Sequence, residues 1–569
     1  MSDQALIYKA EPRNTAQVWF DDGRVFEGPV GAHLEDFVQA AGADPQAPTV
    51  AALIDMELRE LAYRVDGDIE VTPVTMAHSD GLRIYCRSLV FLMVTAVQEL
   101  FPEADIYVDH SLTFGGYFCQ VYHHEPFTVE ELAQIEARMR EIVLADEPIR
   151  KERVPLSDAI ALFSARGDED KVQLLSRRRK EYLTLYQLRG YRDYFGGYMV
   201  PSTGYLSVFA LQRYLPGFIL RFPRSDAPMQ LQPFVDYPKL VGVFREYADW
   251  LALMGIRDVG ALNEAIGGAR VREIVLVAEA LHEQRVARIA EEIGARRDQV
   301  RLVLIAGPSS SGKTTFSKRL SIQLLANGLR PFALEMDNYF LDQDKTPRDE
   351  NGDYDFESLA ALDLDLFNQQ LLHLLEGEEV LLPRYNFKAG KQETGTAVRL
   401  RSDHVVIVEG IHGLNPELVR QVPADRVFRV YVSALTQLNI DKHNRVPTTD
   451  TRLIRRVVRD AAQRGYTADQ TIGRWESVRR GEKRWIFPFQ ENADAMFNSS
   501  LVYELSVLKP QAEPLLLQVR PRTPAYVEAK RLLAFLDWSE PLTPDLVPDN
   551  SILREFVGGS ILMDFHVAI

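Results

Sequence analysis

The stretch GPSSSGKTT, residues 307–315, constrains the fold of this chain more than any other feature. Its first eight residues match G-x-x-x-x-G-K-[ST], a loop whose backbone N–H groups cradle nucleotide phosphates. Five apolar residues, 302–306, precede it and predict a parallel strand that is buried on both faces. A helix is predicted to begin near Gly312 and to end at Asn327-Gly328. This order of strand, loop and helix is the context in which the motif binds phosphate.

The residue types in the loop predict what each part does. Lys313 would neutralise the transferring phosphate, and the hydroxyl of Thr314 would bind Mg²⁺. Together with the start of the helix, the loop is predicted to hold ATP through Gly307, Ser309, Ser310, Ser311, Gly312, Lys313, Thr314 and Thr315. The sequence therefore predicts a site for ATP and magnesium.

Two further apolar runs each end in a carboxylate. Residues 332–336 predict a second strand with Asp337 at its C-terminal end, and residues 405–408 predict a third strand followed by Glu409. Ligands of an open α/β sheet bind at this edge. Asp337 could take a proton from an acceptor hydroxyl or bind Mg²⁺ through water, and capping of the next turn is its structural alternative. Glu409 is predicted to be a second magnesium anchor.

Composition and charge exclude several classes of protein. The net charge of −16 and the pI near 5.3 argue against a protein that coats DNA. Cys86 and Cys119 are the only cysteines, so we expect neither a disulfide framework nor a cysteine-based zinc site. The N-terminal residues lack the apolar run of a signal peptide, and the apolar stretch 89–97 is far shorter than the about 20 residues of a membrane span. We expect a cytoplasmic protein without a membrane anchor.

The 569 residues suggest three or four domains of roughly 150 residues each. The alternation of strands and helices after residue 300 predicts an α/β domain with a parallel sheet and helices on both faces. Mixed α+β patterns come before it, and a helical connector joins the two parts. The predicted divisions are 1–75 and 76–225 (both α+β), 226–299 (helical), 300–510 (α/β) and 511–569, a C-terminal extension without a recognisable motif.

The phosphate loop, MDNYF (336–340), PRYNF (383–387) and VVIVEGI (405–411) together resemble the uridine/cytidine kinase branch of the P-loop kinases, which is allied to phosphoribulokinase. The resemblance covers about residues 300–510, and the order and spacing of the motifs are specific. It implies a kinase that uses ATP and Mg²⁺ and phosphorylates the ribose 5′-hydroxyl of a nucleoside.

The resemblance also implies residue roles. Asp337 would be the general base, Glu409 would belong to the metal shell, and Tyr385 would lie against the nucleobase. Phe387 would also bind the acceptor. Glu357 stands where the family has a ribose-binding Asp, within FESLAALD in place of FDHPDAFD. Gly390 stands where the family has a base-reading His, so strict uridine specificity is not implied.

A lid of arginines matches the family as well, in TRLIRRVVRDAAQRG (451–465). Guanidinium groups bind phosphate oxygens bidentately and help to exclude water, whereas an ordinary solvated helix face is the alternative for any single arginine. Arg455, Arg459 and Arg464 are predicted to bind the nucleotide, and Arg452 the acceptor; Arg456 lies on the same helix.

Residues 1–225 resemble the N-terminal part of threonyl-tRNA synthetase, a ubiquitin-like TGS module followed by an editing-type domain. The family's H-S-x-x-H helix and C-x-x-x-H segment align with RSLVFLM (87–93) and with YRDYFGGYMVPSTG (191–204). The four metal ligands are replaced by Arg87, Phe91, Phe195 and Met199, none of which suits zinc. We therefore expect no zinc and no deacylation.

Three functional hypotheses remain open from the sequence. The first is a nucleoside kinase with a uridine- or cytidine-like acceptor. The second is a phosphoribulokinase-like kinase that acts on a sugar phosphate. The third is a nucleotide-gated regulator that binds RNA through the N-terminal half, which could also bind a regulatory ligand or form a homo-oligomer; neither DNA nor a membrane is an expected partner.

Overall fold

A computed structural model describes residues 13–567 except 43, 45, 349–351, 353, 356, 387, 388 and 437. The chain divides into two compact units. Unit 1 comprises the described residues up to Val235 together with Lys442–Arg445 and Arg520–Val527, and unit 2 comprises Asp236–Asp441, Val446–Val519 and the described residues from Glu528 onward. The finer divisions at residues 75, 225, 299 and 510 remain predictions.

The first part of the chain contains short strands and amphipathic helices. In chain order its elements are β1 (Thr15–Phe20), β2 (Val25–Pro29), α1 (Leu34–Ala41), β3 (Thr49–Ile54), β4 (Glu57–Glu60), β5 (Ile69–Thr75), α2 (Ser79–Leu100), β6 (Asp105–Leu112), β7 (Gly116–Tyr122), α3 (Val129–Leu144), β8 (Arg150–Pro155), α4 (Leu156–Arg166), α5 (Glu169–Ser176), β9 (Tyr182–Leu188), β10 (Tyr191–Asp193), β11 (Ala210–Tyr214) and β12 (Gly217–Arg221). They form sheets in the orders β2-β1-β5-β3-β4, β10-β9-β8 and β11-β12-β7-β6. This is the α+β structure that the sequence predicted.

The second part of the chain begins with three helices and continues into an α/β domain. In chain order its elements are α6 (Pro238–Met254), α7 (Val259–Gly267), α8 (Val271–Ala295), β13 (Leu302–Ala306), α9 (Lys313–Ala326), β14 (Arg330–Glu335), α10 (Leu364–Leu375), β15 (Glu379–Asn386), β16 (Lys391–Arg399), β17 (His404–Glu409), β18 (Val427–Ser433), α11 (Thr448–Arg459), α12 (Ala468–Gly473), α13 (Trp475–Trp485), β19 (Ala495–Asn498), α14 (Glu504–Leu516), α15 (Pro524–Leu536) and α16 (Arg554–Val557).

The central sheet of unit 2 has the strand order β14-β17-β13-β18-β19, and all of its neighbouring strands are parallel. All five residues of β13 are fully buried, because the central strand of a parallel sheet is covered on both faces. Since the strands run in one direction, their carboxyl ends gather at one edge, where ligands of such sheets bind. The predicted α/β fold class is confirmed.

Several element boundaries agree closely with the sequence. The predicted strand at 302–306 is β13, and α9 begins directly after Gly312 and ends just before Asn327-Gly328. The second predicted strand lies slightly earlier than expected, because Met336 already belongs to a turn of 3₁₀ helix. None of the described helices is both long and apolar enough to cross a membrane.

Candidate active site

The phosphate loop joins β13 to α9 in a tightly constrained shape. A Cβ on Gly307 would overlap the carbonyl oxygen of Val432 on the adjacent strand β18, so only glycine fits there. Ser310 and Gly312 adopt left-handed backbone conformations, with φ of 58° and 82°. The hydroxyls of Ser310 and Ser311 are buried and lack a hydrogen-bond partner among the described residues. Buried hydroxyls normally have partners, and the phosphate oxygens of ATP fit this need.

Lys313 is the first residue of α9 and points back over the loop. Its Nζ donates a hydrogen bond to the carbonyl oxygen of Pro308 at 3.2 Å. Burial lowers the pKa of Lys313, and the nearby carboxylate of Glu409 partly opposes that effect. The ammonium group of Lys313 is therefore held beside the loop. A bound anionic phosphate would favour the charged form of the lysine.

Thr314 and Glu409 are brought together at the carboxyl edge of the sheet. The Thr314 hydroxyl donates to Glu409 Oε1 at 3.3 Å, although the two residues lie far apart in the chain. Burial raises the pKa of Glu409, with Lys313 as the largest opposing charge. A half-buried carboxylate beside a hydroxyl suits a hard divalent cation, so these two predicted ligands fit Mg²⁺.

Asp337 lies in the 3₁₀ turn that follows β14. Strand β14 pairs in parallel with β17 so that Glu335 stands opposite Glu409, and Asp337 follows two residues later. Its side chain is exposed, and desolvation by the nearby protein atoms, followed by the charge of Glu335, raises the pKa of Asp337. A carboxylate with a raised pKa is a stronger base, as proton abstraction from a hydroxyl requires.

The hairpin β15–β16 is attached to the turn that carries Asp337. The N–H of Tyr385 donates to Asn338 Oδ1 at 3.1 Å, and Gln392 Nε2 donates to the Asn338 carbonyl oxygen at 3.2 Å. The ring of Tyr385 also lies 5.7 Å from that of Phe340. An aromatic pair and two amide side chains therefore lie next to the turn that carries the candidate base. Phe387, predicted to bind the acceptor, lies outside the described residues.

Glu357 lies against α13, where Gly481 permits the close approach. A Cβ on Gly481 would overlap Glu357 Oε2. Burial, followed by the charges of Glu482 and Asp355, raises the pKa of Glu357 to about 7. The predicted acceptor-binding carboxylate therefore changes charge near neutral pH.

Replacing Glu357 with glutamine is expected to stabilise the protein more at higher pH. The raised pKa means that the folded state retains a proton that the unfolded state releases, so the wild-type free energy of unfolding falls as pH rises from about 4.5 to about 7. In urea unfolding, the free energy of unfolding of the wild type should fall below that of Glu357→Gln by more at about pH 8 than at about pH 5. Glu376→Gln is the control, because Glu376 is exposed and its replacement shows the pH dependence that loss of an ordinary surface carboxylate causes. A gap between wild type and Glu357→Gln that does not change with pH would contradict the assignment.

The lid arginines Arg452 and Arg455 lie in buried ion pairs. Arg452 donates to Glu482 Oε2 at 2.8 Å and to the carbonyl oxygen of Ser309 at 3.1 Å. Arg455 Nε donates to Glu504 Oε2 at 2.7 Å. Both side chains are almost fully buried, and both donate to backbone carbonyl oxygens of the phosphate loop, Arg452 to Ser309 and Arg455 to Ser310. Direct contact of these two residues with acceptor or nucleotide remains a prediction.

The other three lid arginines surround the buried carboxylate of Asp460. Arg459 and Arg464 approach it at 3.0 and 3.5 Å. Arg456 approaches it at 3.3 Å and also donates to the Ser309 hydroxyl at 2.8 Å. Contact of these arginines with nucleotide phosphates likewise remains a prediction. Among the three, Arg456 hydrogen-bonds to the phosphate loop itself.

Glu482 was missed by sequence reasoning. Its Oε1 accepts a hydrogen bond from the N–H of Ser309 at 3.0 Å, and its carboxylate pairs with Arg452. It thereby joins the lid helix α11, the helix α13 and the phosphate loop. No motif marks this residue, because its partners lie 30 and 173 positions away in the chain.

The four positions where the resemblance places metal ligands also lie close together, within unit 1. The rings of Phe91 and Phe195 lie 5.3 Å apart in an edge-to-face arrangement, and Met199 is buried. Arg87 Nη1 donates to the carbonyl oxygen of Tyr198 at 2.6 Å. Apolar packing and one arginine thus stand where the resemblance places the ligands.

A buried ion network adjoins these residues in unit 1. Asp193 lies 2.9 Å from Lys171 Nζ and 2.6 Å from His443 Nδ1. Although burial opposes ionisation, Lys171 and then His443 hold the pKa of Asp193 well below its usual value. The His443 ring stacks on Phe195 at 6.3 Å, and Asn444 Oδ1 accepts from the N–H of Gly196 at 3.0 Å. Residues 442–445 are therefore built into this part of the unit.

Unit 1 is expected to stay folded when metal is removed. Chelation of the full-length chain should leave its unfolding midpoint unchanged, because ring packing and the ion network stabilise this region. Asp193→Asn is the positive control, since it removes the buried carboxylate that pairs with Lys171 and should cost about 3–5 kcal/mol. Stoichiometric zinc by elemental analysis, or unfolding on chelation, would overturn this expectation.

Comparison with known proteins supports both sequence resemblances. Residues 302–505 match the Phosphoribulokinase / Uridine kinase family. The chain is 35% identical to a threonine–tRNA ligase from Laribacter hongkongensis over 191 residues, which are 33% of this chain and 30% of the ligase. The chain thus spans 27–30% of the length of these curated relatives.

Solved structures of kinases are also similar to part of the chain. A possible uridine kinase from Bacillus stearothermophilus is 26% identical and aligns over 26% of this chain and 79% of its own, with a TM-score of 0.22. A D-glycerate 3-kinase from Cryptococcus neoformans var. grubii is 18% identical and aligns over 37% and 89%, with a TM-score of 0.27. By its motifs and family match, unit 2 carries a P-loop kinase domain of the sugar or nucleoside type.

Proposed function

We propose that unit 2 transfers the γ-phosphoryl group of ATP to the ribose 5′-hydroxyl of a nucleoside. Uridine- or cytidine-like nucleosides are the leading candidates for the acceptor. The observation that carries the proposal is the grouping of the phosphate loop, Glu409 and Asp337 at the carboxyl edge of one parallel sheet. Such an edge holds every group that phosphoryl transfer needs: a phosphate cradle, a cation site and a base.

Each of these residues has a defined part in the transfer. Asp337 takes the proton of the acceptor hydroxyl, whose oxygen then bonds to the γ-phosphorus while the bond from that phosphorus to the bridging oxygen breaks. Lys313 neutralises charge on the departing phosphates, which remain in the loop as ADP. Thr314 and Glu409 would hold Mg²⁺, which supplies additional charge neutralisation when it is bound.

The walls of the site favour a nucleoside over a small sugar phosphate. Tyr385 and Phe340 form an aromatic pair next to the side-chain amides of Asn338 and Gln392. Aromatic rings and amides suit a planar base with polar edges, whereas a second phosphate group would require a dedicated cationic pocket.

One experiment separates the three hypotheses. ATP turnover is measured with each of a panel of nucleosides and phosphorylated pentoses, with RNA and with no addition, and products are weighed by mass spectrometry. The proposal expects acceptor-dependent ADP release and a nucleoside monophosphate. A bisphosphorylated sugar would identify the sugar-phosphate kinase, and stimulation by RNA without a phosphorylated small molecule would identify the nucleotide-gated regulator.

Discrimination among nucleobases is expected to be loose. Gly390 has φ of 62°, a conformation that favours glycine, and glycine has no side chain that could read a base. A site that hydrogen-bonds a group rejects analogues by about 10⁴–10⁵, and a site without that bond rejects them far less. The ratio of kcat/KM for uridine to that for adenosine should therefore lie well below about 10⁴. Strict uridine preference would show that another residue reads the base.

For the N-terminal part of unit 1 we propose a role without deacylation chemistry. It would serve as a platform for RNA, for a regulatory ligand or for self-association. Support comes from the loss of the ligand residues at Arg87, Phe91, Phe195 and Met199, together with the tight packing that replaces them.

A further inference from the structure

The C-terminal segment 551–563 lies directly on the phosphate loop of unit 2. Its short helix α16 carries Glu555, whose Oε2 accepts two hydrogen bonds from Thr315. The N–H of Thr315 lies 3.2 Å from this oxygen, and the Thr315 hydroxyl lies 2.8 Å from it. The segment is outside the region that matches the kinase family.

The position of this carboxylate coincides with where a phosphate oxygen is expected. Thr315 is the third residue of α9, so its N–H is one of the first-turn donors that have no partner within the helix. Such donors at the end of a phosphate loop bind anionic oxygens. Glu555 supplies an anionic oxygen of the protein's own, and a nucleotide phosphate cannot accept from the same N–H at the same time.

Several further contacts attach the segment to the loop and its helix. A Cβ on Gly312 would lie 2.6 Å from Ile552 Cγ2, so the isoleucine packs against the last turn of the loop. Lys318 Nζ donates to the carbonyl oxygens of Leu562 and Met563, at 2.7 Å each. Gln463 Nε2 also donates to the carbonyl oxygen of Glu555 at 2.7 Å. The contact of Glu555 with Thr315 is therefore one of several that hold the segment against the loop and α9.

The charge balance of the site opposes simultaneous occupation. Glu555 lies near Lys313 and Glu409, and it adds a negative charge where the phosphates of ATP would add several more. Like charges at short range repel more strongly in a partly buried setting than in bulk water, because the effective dielectric constant is lower. Either the carboxylate or the phosphate can occupy the end of the loop.

We propose that the segment 551–563 is an internal gate in which Glu555 substitutes for a nucleotide phosphate oxygen and withdraws when nucleotide binds. The inference concerns regulation of the site described above and rests on the proposed function only in that the ligand is a nucleotide. Any partner that holds the segment away from the loop would then activate the site.

Binding of Mg·ADP to the full-length chain, followed by calorimetry, tests the gate without any transfer step. Glu555→Gln should bind Mg·ADP about tenfold more tightly than wild type, because the competing anionic acceptor is lost. Asp564→Asn, which removes an exposed carboxylate from the same tail, should leave the affinity unchanged. Equal or weaker binding by Glu555→Gln would overturn the gate, as would Mg·ADP binding to neither protein.

Two further measurements distinguish a gate from a simple charge effect. Lys318→Ala loosens the far end of the segment while it removes a positive charge, so a gate predicts tighter Mg·ADP binding and a charge effect predicts weaker binding. Hydrogen exchange in 551–563 of the wild-type chain should accelerate when Mg·ADP binds. Unchanged or slower exchange, or weaker binding by Lys318→Ala, would overturn the gate. Tighter binding without transfer to any acceptor would support the gate and refute the proposed kinase function.

Discussion

Asp337→Asn is expected to lower kcat by about 10²–10⁴ while ATP still binds. The amide keeps the shape of the side chain but cannot accept the proton of the acceptor hydroxyl. The turn that carries it should persist, because Asn338 still receives hydrogen bonds from Tyr385 and Gln392. Steady-state kinetics with the best acceptor of the panel, together with calorimetric ATP binding, checks both parts of the expectation.

Asp344→Asn is the matched control for this substitution. Asp344 is an exposed carboxylate a few residues further along the chain, so its loss should leave kcat unchanged. Normal turnover by Asp337→Asn would mean that the base lies elsewhere. A parallel loss of ATP binding would instead assign Asp337 to the metal shell, which is its other predicted role.

Lys313→Ala is expected to lower kcat by about 10²–10³, comparable with the loss of one preorganised donor in a transfer site. The ammonium group is held over the loop by the carbonyl oxygen of Pro308 and lies near Glu409. Charge accumulates on the phosphate oxygens during transfer, so its loss should raise the barrier more than it weakens ground-state binding. Comparing kcat with the dissociation constant of ATP separates the two effects.

Lys180→Ala provides the control for removal of a lysine charge. Lys180 is exposed and belongs to unit 1, so its replacement should change neither kcat nor ATP affinity. If Lys313→Ala weakened ATP binding alone and kept full kcat at saturation, the lysine would act in binding and not in the transfer.

The strands and helix around the phosphate loop could be predicted because their signals are local. Residues 302–306 are uninterrupted apolar residues before a glycine, and a strand at the centre of a parallel sheet needs little more. The predicted roles of Lys313, Thr314 and Glu409 follow from the positions of these residues relative to such strands. Their proximity, with the Thr314 hydroxyl 3.3 Å from Glu409, agrees with that expectation.

The partners of the lid arginines could not be predicted in the same way. The sequence shows a helix with closely spaced guanidinium groups, but it does not show that Glu482 and Glu504 bury two of them. An ion pair depends on which side chains are adjacent in space, and these partners lie 30 and 49 residues away in the chain. The spacing of the arginines alone therefore does not show whether a side chain is exposed to a ligand or buried in an ion pair.

By itself, the sequence determined that the chain has a phosphate loop between a buried strand and a helix, and carboxylates directly after two further apolar runs. It also showed a synthetase-like front half that lacks the ligand residues of that family's metal site. Only the tertiary structure decided that Glu555 lies on Thr315 and that residues 442–445 are built into unit 1. The physical reason is that periodicity and loop geometry are set by adjacent residues, whereas the placement of a buried charge depends on every group that surrounds it. A buried charge without a partner costs free energy because it is desolvated. Its position therefore depends on a partner that is distant in the sequence and adjacent only in the folded structure.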